Sequence, residues 1–257
     1  MYQAPDHPII DVHAHWGPWF FAMDIGPVEE NLRLMDLYGI TIQLVSATEG
    51  VVYDAVGANA KFAGILAEQP RLRGYLVVNP NDVAASEADL RRHLPSPLWA
   101  GVKIHTGYPG RPIDSPQMRD TFAMLDSFGV TILIHTWGAE IFALAKLLHA
   151  NPNLRAVAGH MAGDRWDYAV QAAQDCDRLY LEPSCSVTDS VRVPYVVEHA
   201  PRRQMLFGSD ATLIDPAVAI GQLEDADIDP DYSEQIYWRN AADLFGLRDA
   251  VAELGRG

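Results

Sequence analysis

Eight short runs of β-branched and aliphatic residues, each followed by a stretch with helical spacing, constrain this chain more than any other feature. The runs cover 9–15, 41–46, 72–78, 100–105, 130–135, 154–160, 178–182 and 204–210. The helical stretches cover 27–38, 53–68, 84–93, 116–128, 139–150, 166–174, 191–199 and 216–225, and a last one covers 232–245. Strand–helix repeats of this kind build a parallel sheet. Eight of them, averaging about thirty residues, match the roughly 250 residues of a closed (β/α)8 TIM barrel. The expectation is an α/β chain forming one barrel domain over 1–257 with a C-terminal helix. A doubly wound sheet is the alternative, but it rarely carries so many uninterrupted repeats. The longer loops, 16–27, 106–115 and 183–190, all follow strands, where a barrel places its active-site face.

Composition removes several function classes. Hydrophobic residues make up 49% and charged residues 21% of 257 residues, a soluble globular balance, and no apolar run is long enough for a membrane helix. The formal net charge of −15 and the absence of a basic run exclude nucleic acid as a partner. The N-terminus lacks the basic and apolar regions of a signal peptide, and Cys176 and Cys185 form no CxxC pair. Reduced thiols in a cytoplasmic protein are expected. The only lysines are 61, 103 and 146, so Lys103 inside an apolar run requires its own explanation.

Polar residues recur at the ends of these runs. The first ends in His13-Ala-His15, the fourth in Lys103-Ile-His105, the fifth in His135, the sixth in His160 and the eighth in Asp210. Residues i and i+2 of a strand share a face, so His13 and His15 project together as half of a metal site. A closed barrel delivers every such end to one mouth. Unrelated core histidines are the plain alternative, but buried imidazoles need partners and seldom serve as packing.

These motifs, IIDVHAH, GVKIH, ILIHT, GHMAG, LFGSD and NAADLFGL, resemble in order and spacing the amidohydrolase superfamily, most closely its amidohydrolase-2 branch, which includes relatives of aminocarboxymuconate-semialdehyde decarboxylase. The resemblance implies metal ligation by His13, His15, His135 and Asp210, with His160 as a second-metal ligand or a free catalytic imidazole. Ala211 and Thr212 depart from the common pattern, where tyrosine or proline often follows the aspartate. Three imidazoles and a carboxylate suit a divalent metal, with Zn2+ favoured, and leave a position open for water. Asp210 is then the proton shuttle, and His160 polarises the substrate or orients the water.

Lys103 has three readings: a carboxylated bridge between two metals, a contact for a substrate carboxylate, or a buried ion pair with Glu182 or Glu49. One metal per chain is favoured, and two follow if Lys103 is carboxylated. His105 reads as a pocket residue or a polar group at the barrel rim. Trp16 opens an aromatic loop that forms a substrate platform, a cover over the mouth or a subunit contact. Arg111 and Arg165 sit in loops from which a guanidinium clamps a carboxylate, or simply meets solvent. His7, His93, His149 and His199 receive no functional role. Metal-dependent hydrolysis of a small amide, ester or lactone is the first functional expectation. Non-oxidative decarboxylation of a small aromatic or unsaturated acid is the alternative, and a non-catalytic barrel is the third reading. The partner is a small molecule, and a homodimer is expected on base rate alone.

Overall fold

The computed structural model describes residues 5–23, 25–184, 187 and 189–254; Cys185 lies outside them. Its sheet has seven parallel strands paired in chain order: β1 (Ile10–Trp16), β2 (Ile42–Ala47), β3 (Leu72–Val77), β4 (Trp99–Ile104), β5 (Thr131–His135), β6 (Arg155–Gly159) and β7 (Leu179–Leu181). Around them run α1 (Val28–Tyr38), α2 (Thr48–Val52), α3 (Ala55–Glu68), α4 (Val83–His93), α5 (Pro116–Asp126), α6 (Glu140–Ala150), α7 (Trp166–Asp175), α8 (Arg192–His199) and α9 (Ala217–Glu224). The chain ends in α10 (Pro230–Glu234), a π-helical turn (Gln235–Arg239), α11 (Asn240–Phe245) and α12 (Arg248–Leu254). Among the described residues no helix is long and apolar enough to cross a membrane.

Local chemistry accounts for the boundaries. Asp54 caps α3 by accepting from the Gly57 amide at 2.9 Å, and Asp82 caps α4 through the Ala85 amide at 3.0 Å. Ser115 caps α5, whose first residue is Pro116. The helix expected over 53–68 is α3, which begins at Ala55 behind the Asp54 cap, and the short α2 precedes it directly after β2 as a helix not expected from the sequence. The stretch 232–245 divides at the π turn, and α12 continues beyond it.

The expected eighth strand, 204–210, is not a regular strand. It still closes the ring: the Leu206 amide donates to Leu181 O at 2.9 Å, the Val12 amide to Phe207 O at 3.0 Å and the Asp210 amide to His13 O at 2.7 Å. Isolated bridges join Leu181 to Met205 and Ala14 to Ala211. The ladder is interrupted where Asp210 takes a left-handed φ of 63° and the Ser209 hydroxyl turns to Asp11.

Two apolar layers result. Ile10, Val12, Ile42, Leu44, Leu133 and Val157 fill the barrel and meet Ala241, Ala242 and Val251. Thus α11 and α12 close the end at which β1 and β2 begin. The larger layer lies between the sheet and the outer helices.

β1 carries the device that positions the site. Its register with β2 pairs Asp11 with Gln43 and Ala14 with Val45, so Val12 and His13 together oppose the single residue Leu44. This bulge reverses the alternation midway along the strand. Before it, Ile10 and Val12 face the barrel interior; after it, His13 and His15 do, and Ala14 joins the outer layer. Buried partners satisfy the disturbed backbone: the His13 amide donates to Asp11 Oδ1 at 3.1 Å, and Tyr75 OH donates to Val12 O at 2.9 Å.

Candidate metal centre

His13, His15 and Asp210 meet inside the mouth with ligand atoms all within 4.8 Å of one another. His15 Nε2 lies 3.1 Å and His13 Nε2 3.6 Å from Asp210 Oδ1. The second nitrogen of each ring fixes its tautomer. His13 Nδ1 donates to Glu182 Oε1 at 2.8 Å, and His15 Nδ1 to Ser46 Oγ at 3.1 Å, the Ser46 hydroxyl turning towards Ala14 O. Both Nε2 atoms therefore present lone pairs. The His15 Nε2 lone pair faces Asp210 Oδ1 directly, and His13 Nε2 faces the same oxygen with Lys103 Nζ 2.9 Å away; a cation among these donors would relieve the repulsion, and outer-shell carboxylate and hydroxyl partners are the usual supports of metal-bound imidazoles. The donor set fits a divalent metal. Burial, followed by the charge of Lys103, holds both imidazoles well below the ordinary histidine pKa, which preserves those lone pairs.

A carboxylate absent from the sequence-derived ligand set organises the support. Glu182 Oε1 accepts from His13 Nδ1, from the His160 amide at 2.8 Å and from Ser184 Oγ at 2.9 Å, while Oε2 accepts from the Ser184 amide at 2.7 Å. In the sequence it is the carboxylate that ends the seventh apolar run, weighed there only as an ion-pair partner of Lys103. Behind β1, Asp11 accepts from the Ser209 amide and hydroxyl at 3.0 and 2.6 Å and from Gln43 Nε2 at 3.0 Å. Gln43 Oε1 in turn accepts from Asn31, which also donates to His15 O. Burial pushes the Asp11 carboxyl up to about 7 against these hydrogen bonds.

The other mouth residues form a ring of imidazoles. His160 opens a turn in which His160, Met161 and Ala162 all have positive φ, and its Nδ1 donates to Ser184 O at 2.6 Å. Its ring lies 4.7 Å from His135 and 5.0 Å from His13. Burial first holds His160 and His135 down to about 3. His135 stands outside the close trio of donors, stacked at 4.4 Å on His105 with Trp137 beyond it at 6.2 Å. Lys103, 1% exposed, places Nζ 2.9 Å from His13 Nε2, and burial draws its pKa down to about 8 against the pull of Asp210 and Glu182. Neither expected ion pair forms directly: Glu182 is engaged with His13, and Glu49 holds Lys61 at 2.7 Å.

Three sequence-derived substrate contacts change. Trp16 stacks on Phe62 of α3 at 5.2 Å, because alternation after the bulge turns it outward; it is packing, and the buried Trp19 stands edge-on to His15 at 5.0 Å instead. Arg165 is about two-fifths exposed, its fork already occupied by Asp167 at 2.8 and 3.0 Å and its plane lying 3.5 Å over Tyr168. Arg111 donates through Nε to Asn81 Oδ1 at 2.5 Å and so stands behind that residue.

A parallel barrel whose mouth gathers two strand-one imidazoles and a carboxylate from the eighth segment defines a metal-dependent α/β-barrel enzyme. The amidohydrolase family model matches residues 10–247, and the chain belongs to that family. Solved structures share the fold at low identity. Dihydroxybenzoic acid decarboxylase from Polaromonas sp. JS666, with bound manganese and 2-nitroresorcinol, matches at TM-score 0.76 and 17% identity, covering 94% of this chain and 97% of that one. The 5-carboxyvanillate decarboxylase from Novosphingobium aromaticivorans, with manganese and a nitrobenzoic acid, matches at 0.74 and 16%, with the same coverages. A putative amidohydrolase from Staphylococcus aureus matches at 0.73 and 14%, covering 93% of this chain and 100% of that one. No curated protein sequence matches the chain.

Proposed function

We propose that the chain is a metal-dependent, non-oxidative decarboxylase of a small aromatic or unsaturated carboxylic acid. Hydrolysis of an amide, ester or lactone is the reading closest to the family's description, but two considerations favour decarboxylation. Decarboxylases recur among the solved structures of the same fold. The observation that carries the reading is Lys103, a buried amine beside His13 at the mouth, a positive group that a substrate carboxylate can pair with alongside Asp210 and Glu182.

In this reading His13, His15 and Asp210 hold the cation and His135 joins them from β5. Zn2+ suits three imidazoles and a carboxylate, whereas two of the neighbours carry manganese. A divalent cation there supplies Lewis-acid charge for the substrate's oxygens. Lys103 adds a second positive charge for the carboxylate. His160, fixed by Ser184 O through Nδ1, keeps Nε2 for orienting the substrate. The bond between the carboxylate carbon and the ring or vinyl carbon breaks, its electron pair stays on that carbon, and a proton from Asp210 replaces the departing CO2. Solvent then returns the proton to Asp210. The same reading takes 1–257 as one working barrel domain, cytoplasmic, with a homodimer as the expected assembly.

The test is CO2 release. Protein stripped by chelator and reloaded with Mn2+ or Zn2+ is expected to release CO2 from hydroxylated benzoates, and Asp210→Ala to abolish it. Acid release from amide or lactone panels without CO2 would establish hydrolysis instead. CO2 release that survives complete metal removal would sink the metal-dependent reading.

A further inference from the structure

Beside the cluster of imidazoles a cavity of about 190 Å3 opens between α2, the end of β3 with the loop after it, and the loop that follows β4. This is below the roughly 300 Å3 of a whole small-molecule site, so it fits part of a small ligand. Val51, Val52 and Val77 supply apolar wall, and Asn79, Asn81 and Tyr108 supply polar wall. His105 lines the cavity and also stacks on His135, so it stands where the cavity meets the histidine cluster. Its Nδ1 accepts from the Gly107 amide at 3.0 Å, which leaves the proton of the neutral ring on Nε2 as a fixed donor.

Charge is distributed unevenly between the two regions. The cluster carries Lys103, whereas among the described residues no Lys, Arg, Asp or Glu lines the cavity. Arg111 reaches the wall only through Asn81, and Lys61 is held by both oxygens of Glu49. A carboxylate moved into the cavity would lose water without gaining a counter-charge. An uncharged hydroxyl, ether or carbonyl would find amide, phenol and imidazole partners.

We propose that this cavity holds the non-reacting end of the substrate, that this end is an uncharged oxygen group, and that His105 determines specificity by donating Nε2–H to it. The substrate class is thereby narrowed to monocarboxylic acids with a neutral polar substituent remote from the carboxylate, and dicarboxylic acids are rejected. The assignment of the carboxylate to the Lys103 end rests on the decarboxylase reading.

The test is calorimetric binding to metal-loaded protein, which needs no turnover. The probes are 3- and 4-hydroxybenzoate against benzene-1,3- and benzene-1,4-dicarboxylate. Wild type is expected to bind the better hydroxybenzoate on the order of tenfold tighter than its dicarboxylate counterpart. Val52→Lys, which sets a cation in the cavity wall, is expected to reverse that order. His105→Phe, which keeps the ring stack and removes the donor, is expected to weaken the hydroxybenzoate severalfold and leave the dicarboxylate unchanged. Equal or tighter dicarboxylate binding by wild type, or no binding of any probe, overturns the proposal, and neither result depends on the variants folding. CO2 release is read separately: the binding preference without it supports the cavity and overturns the decarboxylase reading, and CO2 release without the preference does the reverse.

Discussion

At the scale of single residues, the site depends on groups that never touch a substrate. Glu182 fixes the His13 tautomer and, through the His160 and Ser184 amides, the chain just after β6 and just after β7. Glu182→Gln keeps the shape but offers an amide nitrogen where His13 Nδ1 needs an acceptor. A 10–100-fold loss of metal affinity is expected, measured by competition with a chromophoric chelator; unchanged affinity would remove Glu182 from the support. Gly208 tests the same carboxylate from the other side, because a Cβ there would meet Glu182 Oε2. Gly208→Ala is expected to cost about 1–3 kcal/mol in urea denaturation and to weaken metal binding together with stability.

At the scale of elements, the bulge in β1 decides which residues of that strand can do chemistry. Alternation alone correctly placed His13 and His15 on one face, because that relation is local to two residues. It could not show that Ile10 and Val12 share the interior with them, since the extra residue between Asp11 and Ala14 is set by partners distant in sequence, Ser209 and Tyr75. For the same reason Trp16 was legible as an aromatic next to the site but not as one facing away from it. Trp16→Phe should preserve the stack on Phe62 and retain full metal loading. Trp16→Ala should lose roughly 2–4 kcal/mol of stability with metal affinity unchanged. A selective loss of metal or substrate binding in either variant would return Trp16 to the mouth. The remaining strand ends were legible because short continuous apolar runs terminate there in a polar residue. The Glu182 network was not, because it joins residues on β1, β6 and β7 through side-chain and amide contacts that no sequence spacing encodes.

At the scale of the whole molecule, the proposed metal ligands lie across the weakest seam of the ring. β1 through β7 pair by ladders of several residues each, whereas the 204–211 segment holds β1 and β7 by isolated bridges and a few single hydrogen bonds. His13 and His15 stand on one side of that seam and Asp210 on the other, so a cation bound by all three fastens together residues nearly two hundred positions apart. A ligand that binds only the folded state stabilises it by about 2.7 kcal/mol at one hundred times its Kd. For a chain of this size that corresponds to a Tm increase of roughly 5–10 °C on adding Mn2+ or Zn2+ to chelator-treated protein. The increase should also be localised. Amide exchange at Val12 and Asp210, whose N–H groups cross the seam to Phe207 and His13, should slow more on metal addition than exchange at Ile132 within the β4–β5 ladder. A metal that binds stoichiometrically yet leaves both Tm and seam exchange unchanged would mean that its ligands all lie on one side of the ring, and the donor set drawn from His13, His15 and Asp210 would be wrong.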